Sequence, residues 1–398
     1  MSAEDDSSRR AAPANQRHST EPLVPPIEPA VVYRCEDPQQ ADALLAGKLS
    51  GYVYSRDAHP NADQLADLCR RWHAAPRAVV CGSGMAALAV GALSQLDHGD
   101  SIVVGKQLYG RSLQLLTGEL ARFGMNSRVV DTCDLAAVAQ ALASPTKLLI
   151  VETITNPLLR VPDLHALAEL AHEHGALLLV DNTFASPAVC RPIECGADLV
   201  VESLTKIMNG HSDVLLGALL GREECWQRVP PVMATWGPTA SPFDCWLARR
   251  GMGTMSLRVE RASGNALRAA EMLEQARPVK TVWYPGLAGH PDHEIAKRQF
   301  EGLYGHMVSF TLRGGRSAAE RFIAAARSVP FAPSLGDLMT TLSHPQSTSH
   351  RAMSEAERNA LGIGPGMIRL SLGIEPADEV IEAVQEGLAA VESVGRGQ

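Results

Sequence analysis

The sequence predicts an α/β fold with a large, mostly parallel sheet, followed by a smaller α+β region. Three observations carry this. Short apolar runs alternate with longer helical patterns over residues 78–220. The runs are nearly continuous in Val, Leu, Ile and Ala, as strands covered on both faces require. The alternation stops near Met255, where a long helical pattern and then a Pro- and Gly-rich stretch take over.

In chain order, strands are expected over residues 78–81, 101–104, 148–152, 177–181 and 199–202. Between them, residues 85–96, 112–123 and 163–174 place apolar side chains three and four apart, which predicts helices packed on the sheet. Beyond Met255, residues 256–275 read as a helix, 306–312 and 367–373 as strands, and 376–393 as a closing helix. The expected division is a tail over 1–20, an arm over 21–60, a first domain over 61–255 and a C-terminal domain over 256–398.

At 398 residues and 45% hydrophobic, the chain can bury a sizeable core. Its 36 basic and 44 acidic residues leave a net charge of −8 with no basic block, which argues against nucleic acid or an anionic membrane and for a small-molecule substrate. Eight scattered cysteines form no CxxC pair and no zinc spacing, so no metal site is expected and the thiols fit a reducing cytoplasm. No apolar stretch approaches the roughly 18 residues of a membrane span, and residues 1–20 lack the apolar core of a signal peptide.

Ligands of open parallel sheets bind at the C-terminal ends of the strands, so residues just past the strands are the candidates. Lys206, in Ser203-Leu204-Thr205-Lys206, follows one apolar strand; by itself it reads as a surface lysine beside small turn residues. Asp181 ends another strand and suits the ring nitrogen of a pyridine cofactor, where a carboxylate keeps the ring protonated and electron-withdrawing. Ser83-Gly84-Met85 joins a strand to a helix and leaves free N–H groups for a phosphate, with Ser203 and Thr205 as further donors. Tyr109 can stack on a ring and Asn156 can bond a phenolic oxygen, although each can also serve only its own loop. Together these are the parts that pyridoxal 5'-phosphate needs.

At these residues the chain resembles the Cys/Met-metabolism, or trans-sulfuration, family of pyridoxal phosphate-dependent enzymes, which includes cystathionine γ-synthase, cystathionine γ-lyase and methionine γ-lyase. The resemblance runs from about Tyr52 to Leu388 through Tyr54-Ser55-Arg56, Ser83-Gly84-Met85-Ala86, Tyr109-Gly110, Asn156-Pro157, Val180-Asp181-Asn182-Thr183, Ser203-Leu204-Thr205-Lys206, Gly210-His211-Ser212-Asp213 and Arg369-Leu370-Ser371. It implies the aspartate aminotransferase-like fold of type I pyridoxal phosphate enzymes. It further implies that Lys206 forms the Schiff base, Asp181 pairs with the ring nitrogen, Tyr109 stacks on the ring and protonates the leaving group, and Asn156 and Thr183 complete the cofactor contacts. The phosphate is expected on Gly84, Met85, Ser203 and Thr205, with Tyr54 and Arg56 reaching in from a neighbouring subunit of a dimer-of-dimers tetramer. Arg369, supported by Ser334, is expected to grip the substrate carboxylate.

Three departures bear on the substrate. Asp57-Ala58-His59-Pro60-Asn61 replaces the usual x-Gly-Asn-Pro-Thr, Arg111 stands at a position that is usually small, and Pro333 stands where cystathionine γ-synthases and γ-lyases carry Glu. The expectation is elimination or replacement at the γ-carbon of a sulfur-containing or O-acylated amino acid. Methionine γ-lyase, O-acylhomoserine sulfhydrylase and β-elimination activities remain alternatives, and a non-catalytic cofactor-binding protein is the reading from another class.

Overall fold

The computed structural model describes residue 20, residues 22–351 and residues 353–395. The tail expected over residues 1–20 falls outside them except for Thr20.

The large sheet has seven strands: β1 (Arg77–Cys81), β2 (Ser101–Gly105), β3 (Asn126–Val130), β4 (Leu148–Glu152), β5 (Leu177–Asp181), β6 (Leu199–Glu202) and β7 (Gly217–Gly221). Their spatial order is β1-β7-β6-β5-β4-β2-β3. β7 pairs antiparallel with both neighbours, whereas β6, β5, β4, β2 and β3 pair in parallel. The sheet is therefore mixed and mostly parallel, as expected.

Alternate residues of each central strand enter different cores. Leu149, Val151, Leu178, Val180 and Val200 join one apolar cluster, and Leu148, Ile150, Leu179, Leu199 and Val201 join the other. Burial on both faces explains why these strands read as unbroken apolar runs. β3 was not expected, because its Asn-Ser-Arg-Val-Val sequence lies at the sheet edge and is only partly covered. β7 carries no periodicity that separates a buried strand from a buried helix.

The remaining strands, β8 (Val279–Trp283), β9 (Met307–Leu312), β10 (Thr341–Ser343) and β11 (Met367–Ser371), form an antiparallel sheet ordered β10-β11-β9-β8. The helices Met255–Gln275, Gly315–Ala325 and Ala377–Gly395 enclose a separate core on it, built on Phe310, Phe322, Ile368, Leu370 and Val384.

Two local departures have identifiable causes. The single helix expected over 112–123 is a short α-helix, Gly110–Gln114, then a π-turn, Leu115–Glu119, and a 3₁₀ turn, Leu120–Phe123. Thr117 Oγ1 donates back to the Leu113 carbonyl at 2.8 Å, and such a bond competes with the regular helical ladder. His59, in the segment that departs from the family pattern, caps the helix Pro60–Trp72: its Nδ1 accepts from Ala62 N (3.2 Å), leaving Nε2 to donate to the Ala240 carbonyl (3.0 Å).

Candidate active site

The C-terminal ends of β1, β2, β4, β5 and β6 open onto one cavity, and the four-stranded sheet supplies its opposite wall. Past β1, Ser83 caps the helix Gly84–Leu93 through Ala86 N (3.1 Å), so the N–H groups of Gly84 and Met85 begin that helix, and both residues line the cavity. A Cβ on Gly84 would lie 2.8 Å from Ser203 Cβ, so only glycine lets this helix start lie against the Ser203 turn. Ser203 N donates to Thr183 Oγ1 at 2.9 Å, tying the ends of β5 and β6 together. Thr205 Oγ1 lies between Leu216 N (3.1 Å) and the Leu216 carbonyl (3.2 Å), which competes for its hydroxyl proton.

Asp181 closes β5 and accepts from Thr183 N at 3.0 Å. Burial raises its pKa to about 6; the Thr183 bonds oppose this, and the charge of Glu202 adds to it. Behind it, Asn182 donates to Glu202 Oε1 (2.9 Å) and accepts from Thr153 Oγ1 (2.7 Å), and His73 Nε2 stands 3.3 Å from the same Glu202 oxygen. This fully buried network fixes the strand ends that present Asp181.

Lys206 projects into the cavity, and its Nζ donates to Ser334 Oγ at 3.1 Å. Burial and the charge of Arg369 hold its amine below the ordinary lysine range. The turn that follows is anchored by Arg258, whose guanidinium donates to the carbonyls of Ile207 (2.7 Å) and Met208 (2.9 Å). Arg369, in the middle of β11 and only 4% exposed, donates to Asn156 Oδ1 at 2.7 Å and lies 5.8 Å from the Phe184 ring centroid. Burial lowers its pKa to about 10, which leaves it charged at neutral pH. A second Arg369 nitrogen reaches the Ser334 carbonyl at 3.5 Å, and Nε has no protein partner.

The cavity thus brings together Gly84, Met85, Tyr109, Asn156, Asp181, Thr183, Ser203, Thr205, Lys206, Pro333, Ser334 and Arg369. Tyr54, Arg56 and Arg111 are exposed and do not line it. Arg56 lies over the ring of Tyr54 at 5.2 Å, and Arg111 bonds Gln114 on the outer side of its helix (2.7 Å). Sequence reasoning passed over Glu152, Phe184, Leu215 and Ser349 on the cavity wall. Glu152 had a signal: like Asp181, it is a carboxylate closing an apolar strand. Ser349 had none, because only folding brings its loop to the sheet.

These residues fit pyridoxal phosphate. Free helix N–H groups and the Ser203 hydroxyl suit its phosphate, Asp181 its ring nitrogen, Asn156 its phenolic oxygen and Lys206 its aldehyde, and the glycine-dependent contact at Gly84 gives the phosphate end its shape.

The chain is similar to known proteins over most of its length. The family model described as Cys/Met metabolism PLP-dependent enzyme matches residues 9–389. An O-succinylhomoserine sulfhydrylase of Pseudomonas aeruginosa is 40% identical, over 88% of this chain and 87% of that protein. An L-methionine gamma-lyase of Porphyromonas gingivalis is 36% identical over 92% of each. The crystal structure of a cystathionine gamma synthase from Xanthomonas oryzae pv. oryzae with aminoacrylate and cysteine superposes with a TM-score of 0.89 at 36% identity, covering 93% of this chain and 94% of that one.

Proposed function

The chain belongs to the Cys/Met-metabolism pyridoxal phosphate-dependent enzymes, and on that premise we propose that it catalyses elimination or replacement at the γ-carbon of a sulfur-containing or O-acylated amino acid. The observation that carries this reading is the placement of an amine, a buried guanidinium and a carboxylate in one cavity: Lys206, Arg369 and Asp181. When bound, pyridoxal phosphate supplies an electron sink conjugated to the substrate Cα.

The chain's own residues do the rest. Arg369 receives the substrate α-carboxylate in a forked pair, its unpartnered Nε being one arm, and Asn156 orients the guanidinium. Lys206, the covalent anchor of the cofactor, takes the Cα proton once free, in a setting where burial and the charge of Arg369 disfavour its charged form. For γ-chemistry the same amine moves a Cβ proton, and Ser334 Oγ orients it. Asp181, held by Thr183, keeps a proton at the ring nitrogen, and Tyr109 protonates the leaving group.

In this reading residues 61–255 bind the cofactor and residues 256–398 hold the substrate. Tyr54 and Arg56 complete the phosphate site of a neighbouring subunit in a homotetramer. Their exposure outside their own chain's cavity supports that role. A cytoplasmic location is supported by eight unpaired cysteines; no helix of the described residues is long and apolar enough to cross a membrane.

Replacement is favoured over elimination by the 40% identity to a sulfhydrylase, and Pro333 argues against a substrate whose distal ammonium needs a carboxylate. The test is a panel of cystathionine, methionine, homocysteine, O-acetylhomoserine and O-succinylhomoserine, with cysteine as the β-elimination control. We expect an O-acylhomoserine plus a thiol to give a thioether amino acid and, without the thiol, a slower release of 2-oxobutanoate. Turnover of cysteine alone would overturn the γ assignment.

A further inference from the structure

Glu152 is a buried carboxyl for which the proposed chemistry has no use. It closes β4 directly beside Asp181, the two being register partners on neighbouring parallel strands, and it is 6% exposed on the cavity wall. Its Oε1 accepts the backbone N–H of Tyr109 at 2.7 Å, at the first residue before the short helix Gly110–Gln114. Its Oε2 is buried with no partner. An ionised carboxylate with one bare oxygen beside a second carboxylate is a costly arrangement, whereas a neutral carboxyl keeps the Tyr109 bond and removes the repulsion.

We infer that Glu152 is held protonated in the folded enzyme and acts as a positioning residue, fixing Tyr109 through its backbone and leaving the negative charge of the pair to Asp181. Because Oε1 accepts from Tyr109 N, the proton belongs on Oε2, and the pair carries one negative charge, on Asp181. The titratable group facing Glu152 from β5 is Asp181, with Glu202 behind it; Tyr109 faces it from the loop after β2, and Lys206 and Arg369 line the same cavity. Burial first, and then the charge of Asp181, push the Glu152 carboxyl well above its ordinary range against the opposing backbone N–H groups of Tyr109 and Asn156, which agrees with the geometry. The inference rests on the assignment of Asp181 to the ring nitrogen.

A carboxyl whose folded pKa is raised gives stability that is present at low pH and lost as pH rises, because unfolding then releases its proton. The cofactor-free Glu152→Gln protein is therefore expected to melt at least about 2 °C above wild type at about pH 8 and level with it at about pH 4. A lower melting temperature for Glu152→Gln at the higher pH would mean that Glu152 is ionised, and overturns the inference. With cofactor bound, Glu152→Ala should lower kcat by about 10²-fold by freeing Tyr109, and Glu152→Gln should restore most of that loss. Equal damage by Gln and Ala overturns the protonated role, and an undamaged Ala variant overturns the positioning role. If the Ala variant does not fold, Glu152→Asp, which withdraws the carboxyl from Tyr109 by one methylene, is read in its place. An Asp181→Asn protein with unchanged activity would instead sink the ring-nitrogen assignment, and the melting comparison would still report on Glu152.

Discussion

On the wall formed by the seven-stranded sheet, each residue of the candidate site sits at or just past the end of a strand: Gly84 after β1, Tyr109 after β2, Asn156 after β4, Asp181 on β5 and Lys206 after β6. On the wall formed by the four-stranded sheet, Arg369 sits in the middle of β11, and its closest partner, Asn156, belongs to the other wall. The first wall is assembled by local chain geometry. Parallel strands end together, and the helix starts and turns beyond them point the same way. The second depends on packing between the two sheets, because a guanidinium buried in mid-strand needs an acceptor from elsewhere.

The widest break in this comparison comes from Lys206→Ala. It should lower turnover more than about 10³-fold and abolish the absorbance of covalently held cofactor, while Tm stays near wild type. Turnover near the wild-type rate would remove Lys206 from the chemistry. On the opposite wall, Arg369→Lys should lower kcat/KM about 10²-fold, mostly through KM, since a point charge cannot make the fork to a carboxylate or keep the Asn156 bond. A change confined to kcat would place Arg369 elsewhere in the reaction.

Gly84→Ala tests the first wall without touching a charge. The 2.8 Å approach to Ser203 forces a shift, and cofactor affinity should fall about 10-fold, read by titration of the cofactor-free protein. Smallest of all, Arg111→Ala should change kcat/KM by less than about twofold, because the side chain bonds only Gln114 at the surface. A larger effect would mean that a neighbouring subunit brings Arg111 into a site.

The two walls were also unequally legible. Lys206, Asp181 and the Ser83-Gly84-Met85 turn were readable because a parallel strand is a short apolar run, and whatever polar residue closes it lands at the ligand edge. Glu152 carried the same mark and was passed over. Arg369 and Ser334 were reached through the family resemblance. Nothing in the spacing of residues 333–369 says that Ser334 will meet Lys206 across 128 positions.

By itself, then, the sequence determined the alternating sheet, the order of its central strands along the chain and the set of groups at their ends, because these follow from the periodicity of burial and from local turn chemistry. The tertiary structure alone decided the rest. It raised Asp181 by burial and by the nearby Glu202, and it set Glu152 beside it. It turned Arg111 out to the surface, left Tyr54 and Arg56 outside their own chain's cavity, and closed Arg369 onto Asn156. Each of these depends on which distant segments share a low-dielectric interior, and that proximity is a property of the packed molecule.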